Sequence, residues 1–161
     1  MLEQMTMEQT ILDAAREVFE TMIFMDIEPA GSEPQDSSPE GAALMGSITF
    51  RGGLEGCLTI CLSEACARSI AANMLGMDSG DQLSLSEVGD AVGEVANMTM
   101  GSIKHRIQNT YTDLQVSIPT VVSGRQLFPM PGEDFTRGQV NTTLDEIFPV
   151  TFSMYYKQAQ N

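Results

Sequence analysis

The chain has 161 residues, of which 42% are hydrophobic, and these values favour one compact domain over residues 1–161 with a substantial core. Its 22 acidic and 8 basic residues give a formal net charge of -14. A surface of that sign repels phosphate backbones and anionic lipid, which argues against nucleic acid and membrane as partners. Because no run approaches about 18 apolar residues and the first residues lack the pattern of a signal peptide, we expect a soluble, cytoplasmic protein.

The first elements predicted along the chain are a helix, a connection and a hairpin. Residues 8–25 place apolar side chains at spacings of three and four, the pattern of an amphipathic helix. Those side chains belong to Ile11, Ala15, Val18, Phe19, Met22 and Met25. Residues 26–40 collect prolines and polar residues, which predicts an exposed connection without regular structure. Two β-prone runs, 47–50 and 58–62, flank the turn residues 51–53, so we expect a hairpin there.

Two further helices are predicted after the hairpin. A short one should extend from Ser63, a residue suited to the N-cap, to Gly76, which suits the C-cap. A second long helix should begin at Ser84 or Ser86 and reach about Gln108. Three cysteines, at positions 57, 61 and 66, do not have the spacing of a zinc site, so we expect reduced, buried thiols and no metal.

The last third of the chain predicts three strands, over residues 114–118, 139–144 and 147–156, with a break at Pro119. The resulting order of a helix, two strands, two helices and three strands indicates an α+β domain. Short turns between consecutive strands favour an antiparallel sheet, packed with two long helices and one shorter helix.

The second long helix carries a narrow polar stripe. At about 100° per residue, Asp90, Glu94, Asn97 and Gly101 fall within about 60° of arc. Apolar and small residues occupy the opposite side and are expected to face the core: Leu85, Val88, Val92, Val95, Ala96, Thr99 and Ile103. Taken alone, the stripe is more typical of the ordinary solvated face of an amphipathic helix than of a functional site.

The run from Asp90 to Gly101 resembles the signature of the CheC/CheX/FliY chemotaxis phosphatases, in which an Asp or Ser is followed four residues later by Glu and three further on by Asn. That signature includes a proline a little over twenty residues beyond the asparagine, and Pro119 follows Asn97 here with 21 residues between. The segment 50–56 also resembles the family, so the likeness covers roughly residues 8–156.

The first helix repeats the spacing of this signature with Asp13, Glu17 and Glu20, so that an acid replaces the amide. Because CheC-type members have two sites and CheX-type members one, the single intact copy resembles the CheX branch. An ordinary exposed acidic face is the alternative for the first helix. Lys104 and Arg106 are interpreted as solvated charges near the end of the second long helix.

The resemblance implies a CheC-like fold and hydrolysis of the phospho-aspartate of a response-regulator receiver domain. Asn97 would orient the attacking water and Glu94 would contact the receiver's lysine, with Asp90, Gly101 and Pro119 at the interface. The chain itself would bind no cofactor, since Mg²⁺ would belong to the receiver, and it would form a homodimer.

Two other functions remain open on the sequence. One is a non-catalytic adaptor of the same fold, which binds a receiver or resembles a flagellar switch protein. The other is an enzyme for small acyl phosphates, which is less favoured because the sequence has no nucleophile with a base, no phosphate-binding loop and no metal cluster.

Overall fold

The computed structural model describes residues 4–31 and 41–159. In chain order these form α1 (Gln4–Val18), a π-helical turn (Phe19–Ile23), β1 (Ile27–Pro29), β2 (Ala42–Arg51), β3 (Leu54–Ser63), α2 (Glu64–Leu75), α3 (Leu85–Ile107), β4 (Gln115–Val116), β5 (Thr120–Arg125), β6 (Thr136–Leu144) and β7 (Phe148–Gln158). No helix in the described parts of the chain is long and apolar enough to cross a membrane.

The strands form one antiparallel sheet in the order β1-β6-β7-β3-β2-β4, and β5 also pairs with β2. The central strands β3 and β7 pair over nearly their whole length, from Leu54 opposite Gln158 to Leu62 opposite Val150. The α+β class and the antiparallel sheet predicted from the order of elements are therefore confirmed.

The helices lie on one face of the sheet and enclose the core with it. The third helix packs against α1, α2 and β2. Contact between α3 and β2 depends on Gly46, because a Cβ atom there would lie 3.0 Å from Cγ1 of Val92. Elsewhere in the core, Phe19 and Phe152 pack edge to face with ring centroids 6.2 Å apart. The contacts of α3 with α1, α2 and β2 hold the helix firmly, so that its outer face is presented in a fixed position.

Local capping chemistry explains why the two later helices begin and end as predicted. The Ser63 hydroxyl accepts a hydrogen bond from the Cys66 amide at 3.1 Å, and Gly76 ends α2 in the left-handed conformation at φ 68°. Ser84 caps α3, since its hydroxyl accepts from the Glu87 amide and the Glu87 carboxylate accepts from the Ser84 amide, both at 3.1 Å. The start of α3 is therefore Ser84 and not the alternative Ser86.

Two strands were not predicted. β1 lies in the segment expected to be irregular, where it pairs with β6 and the Ala30 amide donates to the Asn141 carbonyl at 2.8 Å. Residues 32–40 of that predicted connection lie outside the described residues. β5 begins immediately after Pro119, so the proline precedes a strand instead of beginning a long irregular stretch, and the strand predicted over 114–118 is reduced to β4.

The first helix also differs from the prediction, because its α-helical part ends at Val18 and a π-helical turn follows. A π turn contains more residues than an α turn, so the positions after it rotate relative to the core. Met22, predicted to pack inward, is consequently 49% exposed. Phe24 adopts the left-handed conformation at φ 63° and ends the turn.

All three cysteines are free thiols, as the sequence predicts, but only Cys61 and Cys66 are buried, since Cys57 is half-buried. Burial raises the pKa of Cys61 to about 11 and that of Cys66 to about 12, so both are protonated at neutral pH. No group of three or more His, Cys, Asp and Glu side chains is arranged to hold a metal ion within residues 4–31 and 41–159.

Candidate functional site

The outer face of α3 presents the predicted polar stripe to solvent. Asp90, Glu94, Asn97 and Gly101 are all exposed. On the opposite side, six of the seven residues predicted to face the core are buried: Val88, Val92, Val95, Ala96, Thr99 and Ile103. The helix is thus fixed by its apolar side, and the acid and amide side chains extend from a rigid element.

An open groove of about 680 Å³ runs along this face. Its lining residues come from α3, β2 and the segment around β5: Leu44, Leu85, Ser86, Gly89, Asp90, Gly93, Glu94, Asn97, Pro119, Val121 and Ser123. The structure therefore brings together four of the five predicted site residues, since Asp90, Glu94, Asn97 and Pro119 all line the groove. Gly101 lies one helical turn beyond Asn97, outside that lining.

Glycines on α3 let the segment around β5 lie close to the helix. A Cβ atom on Gly93 would lie 3.4 Å from Cγ of Pro119 and 3.6 Å from Cγ2 of Val121, and one on Gly89 would lie 3.9 Å from Cγ1 of Val121. Pro119, predicted as a partner-binding residue, is half-buried against α3 and so helps to form the wall of the groove. The space around Gly101 is different, because a Cβ atom there would meet nothing within 4 Å.

The side chains of Glu94 and Asn97 form no hydrogen bond or ion pair with any other described residue, so both can contact a second molecule. Their chemistry is complementary. A carboxylate accepts hydrogen bonds and attracts a cation, whereas a carboxamide both donates and accepts without changing protonation state. The two residues are three positions apart on α3, so they are neighbours on the helix surface.

The corresponding acidic residues on α1 have a different environment. The Glu17 carboxylate accepts a hydrogen bond from the Ser102 hydroxyl at 2.7 Å and forms an ion pair with Arg106 at 2.8 Å. These two interactions, that of Ser102 first, lower the pKa of Glu17 below its ordinary value. Asp13 accepts a hydrogen bond from Gln9 at 2.8 Å. Glu17 therefore joins α1 to α3, and Arg106 is exposed near the end of α3 as predicted but is also paired with Glu17.

Sequence reasoning placed Leu85 on the buried side of α3, but it is 44% exposed and lines the groove. The reason lies in the cap. Leu83 directly precedes the N-cap residue Ser84, and Val88 is the fourth residue of the helix. Side chains at these two positions commonly pack together as a hydrophobic staple, and both are buried here. Leu83 thus takes the core position at the start of the helix, and Leu85 is directed outward.

Apart from Pro119, the groove residues that lie outside α3 were not predicted: Leu44, Val121 and Ser123. They become neighbours through the pairing of β2 with β5, in which Leu44 lies opposite Ser123 and Gly46 opposite Val121. The local signal of that strand is its run of β-branched residues, Thr120, Val121 and Val122, and three residues are too few to establish a strand.

Three helices cover one face of the antiparallel sheet, and the helix that packs against the other two carries the exposed acid and amide. The family model for the chemotaxis phosphatase CheX matches residues 44–131. The chain therefore belongs to the CheX family.

Individual relatives agree with that assignment. The CheY-P phosphatase CheX of Thermotoga maritima is 35% identical over 107 residues, which are 60% of this chain and 66% of that relative, slightly less than two thirds of its length. The crystal structure of the chemotaxis protein CheX from Vibrio vulnificus superimposes with a TM-score of 0.77 at 22% identity, covering 94% of this chain and 99% of that one. The CheX-CheY-BeF3-Mg²⁺ complex from Borrelia burgdorferi gives a TM-score of 0.70 at 15% identity, covering 98% and 100%.

Proposed function

We propose that this chain is a phosphatase that hydrolyses the phospho-aspartate of a CheY-like response-regulator receiver domain. The observation that carries the proposal is the pair Glu94 and Asn97, exposed together on the rim of the α3 groove without partners among the described residues. Membership of the CheX family and the 35% identical relative named CheY-P phosphatase support the same reaction.

Asn97 is the residue that acts on the attacking water. Phospho-aspartate is an acyl phosphate, and its hydrolysis needs a water molecule in line with the leaving carboxylate. The Asn97 amide can accept a hydrogen bond from that water and donate one to a phosphoryl oxygen. The water is then already oriented before the transition state, so less entropy is lost on reaching it. The receiver would supply the Mg²⁺ ion and the lysine that neutralise the phosphoryl charge, which leaves this chain with the task of positioning.

Glu94 is proposed to hold the receiver in place. Its carboxylate would repel a phosphoryl group unless a cation lay between them, and the receiver's active-site lysine is the cation proposed for that position. The contact would be a charge-assisted hydrogen bond, one turn of α3 away from the water site. Asp90 lines the groove one turn earlier and Gly101 leaves open space one turn later, so both are proposed to border the receiver, together with Pro119.

We also propose that the chain acts in the cytoplasm, where receivers are phosphorylated, and as a homodimer. β5 pairs with β2 along one edge, and its other edge has no strand partner among the described residues, so its backbone groups are available to another chain. Light scattering tests the dimer, because a mass equal to one chain at micromolar concentration would exclude it.

The reaction is tested by following phosphate release from a purified receiver that carries the phosphoryl group. The parent protein should accelerate release above the receiver's own rate, and Asn97→Ala should reduce this acceleration by about 100-fold or more. The matched control is Asn109→Ala, which removes an exposed asparagine just beyond the end of α3 and should leave the rate unchanged. A parent protein that binds the phosphorylated receiver without accelerating release would instead be a non-catalytic adaptor.

A further inference from the structure

A second hollow, of about 430 Å³, lies on the sheet face opposite the helices. Successive side chains of a strand point to opposite faces. In β2, Leu44 and Gly46 therefore face α3, whereas Met45 and Ser47 line this hollow. The segment 129–135, which immediately precedes β6, forms the other side of the hollow.

Small residues on the sheet create this space. Thr59 on β3 lies opposite Ser47 on β2 and opposite Ser153 on β7, so three short hydroxyl side chains stand in a row across the strands. Larger side chains line the sides of the cavity: Met45, Met130, Phe135 and Tyr155. The volume falls within the range of about 300–1,000 Å³ that is usual for small-molecule sites, and the lining is mainly apolar.

Thr59 supplies an unused polar group at this cavity. The residue is only 3% exposed, and its Oγ1 has no hydrogen-bond partner in the described parts of the chain. A buried hydroxyl without a partner is unfavourable, and native structures normally satisfy such groups. Because this oxygen is buried where it stands, a ligand with an acceptor atom would engage the hydroxyl after a staggered rotation about χ1 turns it toward the cavity.

The charges at the cavity are already balanced. Glu55 is the one charged residue among those that line it. Its carboxylate lies 3.5 Å from the Lys157 ammonium, which in turn lies 4.7 Å from the centroid of the Phe135 ring. These contacts hold the segment around Phe135 against the sheet and leave no charge in the lining uncompensated, so the site favours an uncharged occupant.

We propose that this cavity binds an uncharged, largely apolar small molecule that carries a hydrogen-bond acceptor for the Thr59 hydroxyl. The site lies on the opposite side of the sheet from the α3 groove and shares none of its lining residues. The proposed ligand site is therefore independent of the proposed phosphatase activity, and a result that contradicts one of these proposals does not contradict the other.

The test uses prodan, a neutral naphthyl ketone whose fluorescence reports an apolar environment, titrated against the full chain. We expect saturable binding of one molecule per chain. Thr59→Val removes the hydroxyl at nearly constant volume and should weaken binding about fivefold. The same substitution removes an unsatisfied group, so the protein without ligand should melt about 3 °C higher, which shows that the weaker binding is not caused by misfolding.

Two further variants locate the site. Ser47→Leu fills the hollow and should abolish saturable binding, whereas the matched control Thr143→Val, on the same sheet face but outside the cavity, should leave the affinity unchanged. Equal affinities for the parent and Ser47→Leu, or no saturable binding to the parent, would overturn the proposal. An apparent affinity that falls as protein concentration rises would also overturn it, since a second copy of the chain would then occupy the hollow.

Discussion

Replacing Gly101 by alanine is the substitution whose effect on stability follows most directly from the structure. The residue lies inside α3, six positions before its last residue, and is exposed. Glycine in a helix interior is about 1 kcal/mol less favourable than alanine, because it loses more backbone freedom on folding. A Cβ atom added at Gly101 would meet nothing within 4 Å, so no steric cost opposes this gain.

Gly101→Ala should therefore raise the free energy of unfolding by about 1 kcal/mol. For a domain of this size the melting temperature should rise by about 3 °C. Urea denaturation followed by circular dichroism measures the first quantity, with the slope of the transition expected to match that of the parent. Unchanged or lower stability would refute the assignment of Gly101 to an unobstructed helical position.

The same variant also tests the proposed receiver interface. If the receiver packs closely over Gly101, the added methyl group should weaken receiver binding even though the protein is more stable. A half-saturating receiver concentration equal to that of the parent would show that Gly101 does not contact the receiver. The loss of helix stability caused by this glycine would then have no functional explanation.

Three further outcomes are expected. Gly46→Ala should lower the free energy of unfolding by about 1–3 kcal/mol in urea denaturation, because the new Cβ atom would lie 3.0 Å from Cγ1 of the buried Val92; a neutral effect would show that α3 can move away from β2. Glu17→Gln should cost about 0.5 kcal/mol at pH 7, since Glu17 is half-exposed. Because the pKa of Glu17 is lowered, the stabilisation that its carboxylate provides is complete above its ordinary pKa of 4.5 and is lost as the pH falls through the lower folded value. The parent and Glu17→Gln should therefore converge in stability in acid, and a constant difference between them would contradict this. Glu94→Ala should raise the half-saturating receiver concentration about tenfold, and equal binding in a titration would exclude the lysine contact.

The parts of the fold that local chemistry determines were predictable from the sequence. Ser63 and Gly76 bound α2, and the pair Ser84 and Glu87 fixes the start of α3, because each cap is made within a few residues. The strand β5 was not predictable, since it is short and its pairing partner β2 lies more than 70 residues earlier in the chain. The π turn after Val18 was also missed, as apolar periodicity does not distinguish it from a continuing α-helix.

In the candidate site, too, the features set by local sequence were predictable and those set by long-range packing were not. Asp90, Glu94 and Asn97 share a face because of helical geometry, so their common exposure follows from spacing alone. The facing wall, with Leu44 and Val121, depends on strand pairing and on the close approach that the α3 glycines permit. The Glu17–Arg106 ion pair joins residues 89 positions apart. Its two charges are visible in the sequence, but their proximity is a property of the packing of α1 on α3.

The most direct single measurement is the single-turnover rate at which saturating amounts of the Asn97→Ala protein remove the phosphoryl group from a labelled receiver. At saturation, differences in binding no longer affect the rate, so the measurement isolates the positioning of water. We predict a rate near that of the receiver alone, with a half-saturating concentration close to the parent's. A rate within about twofold of the parent protein would mean that another group directs the water.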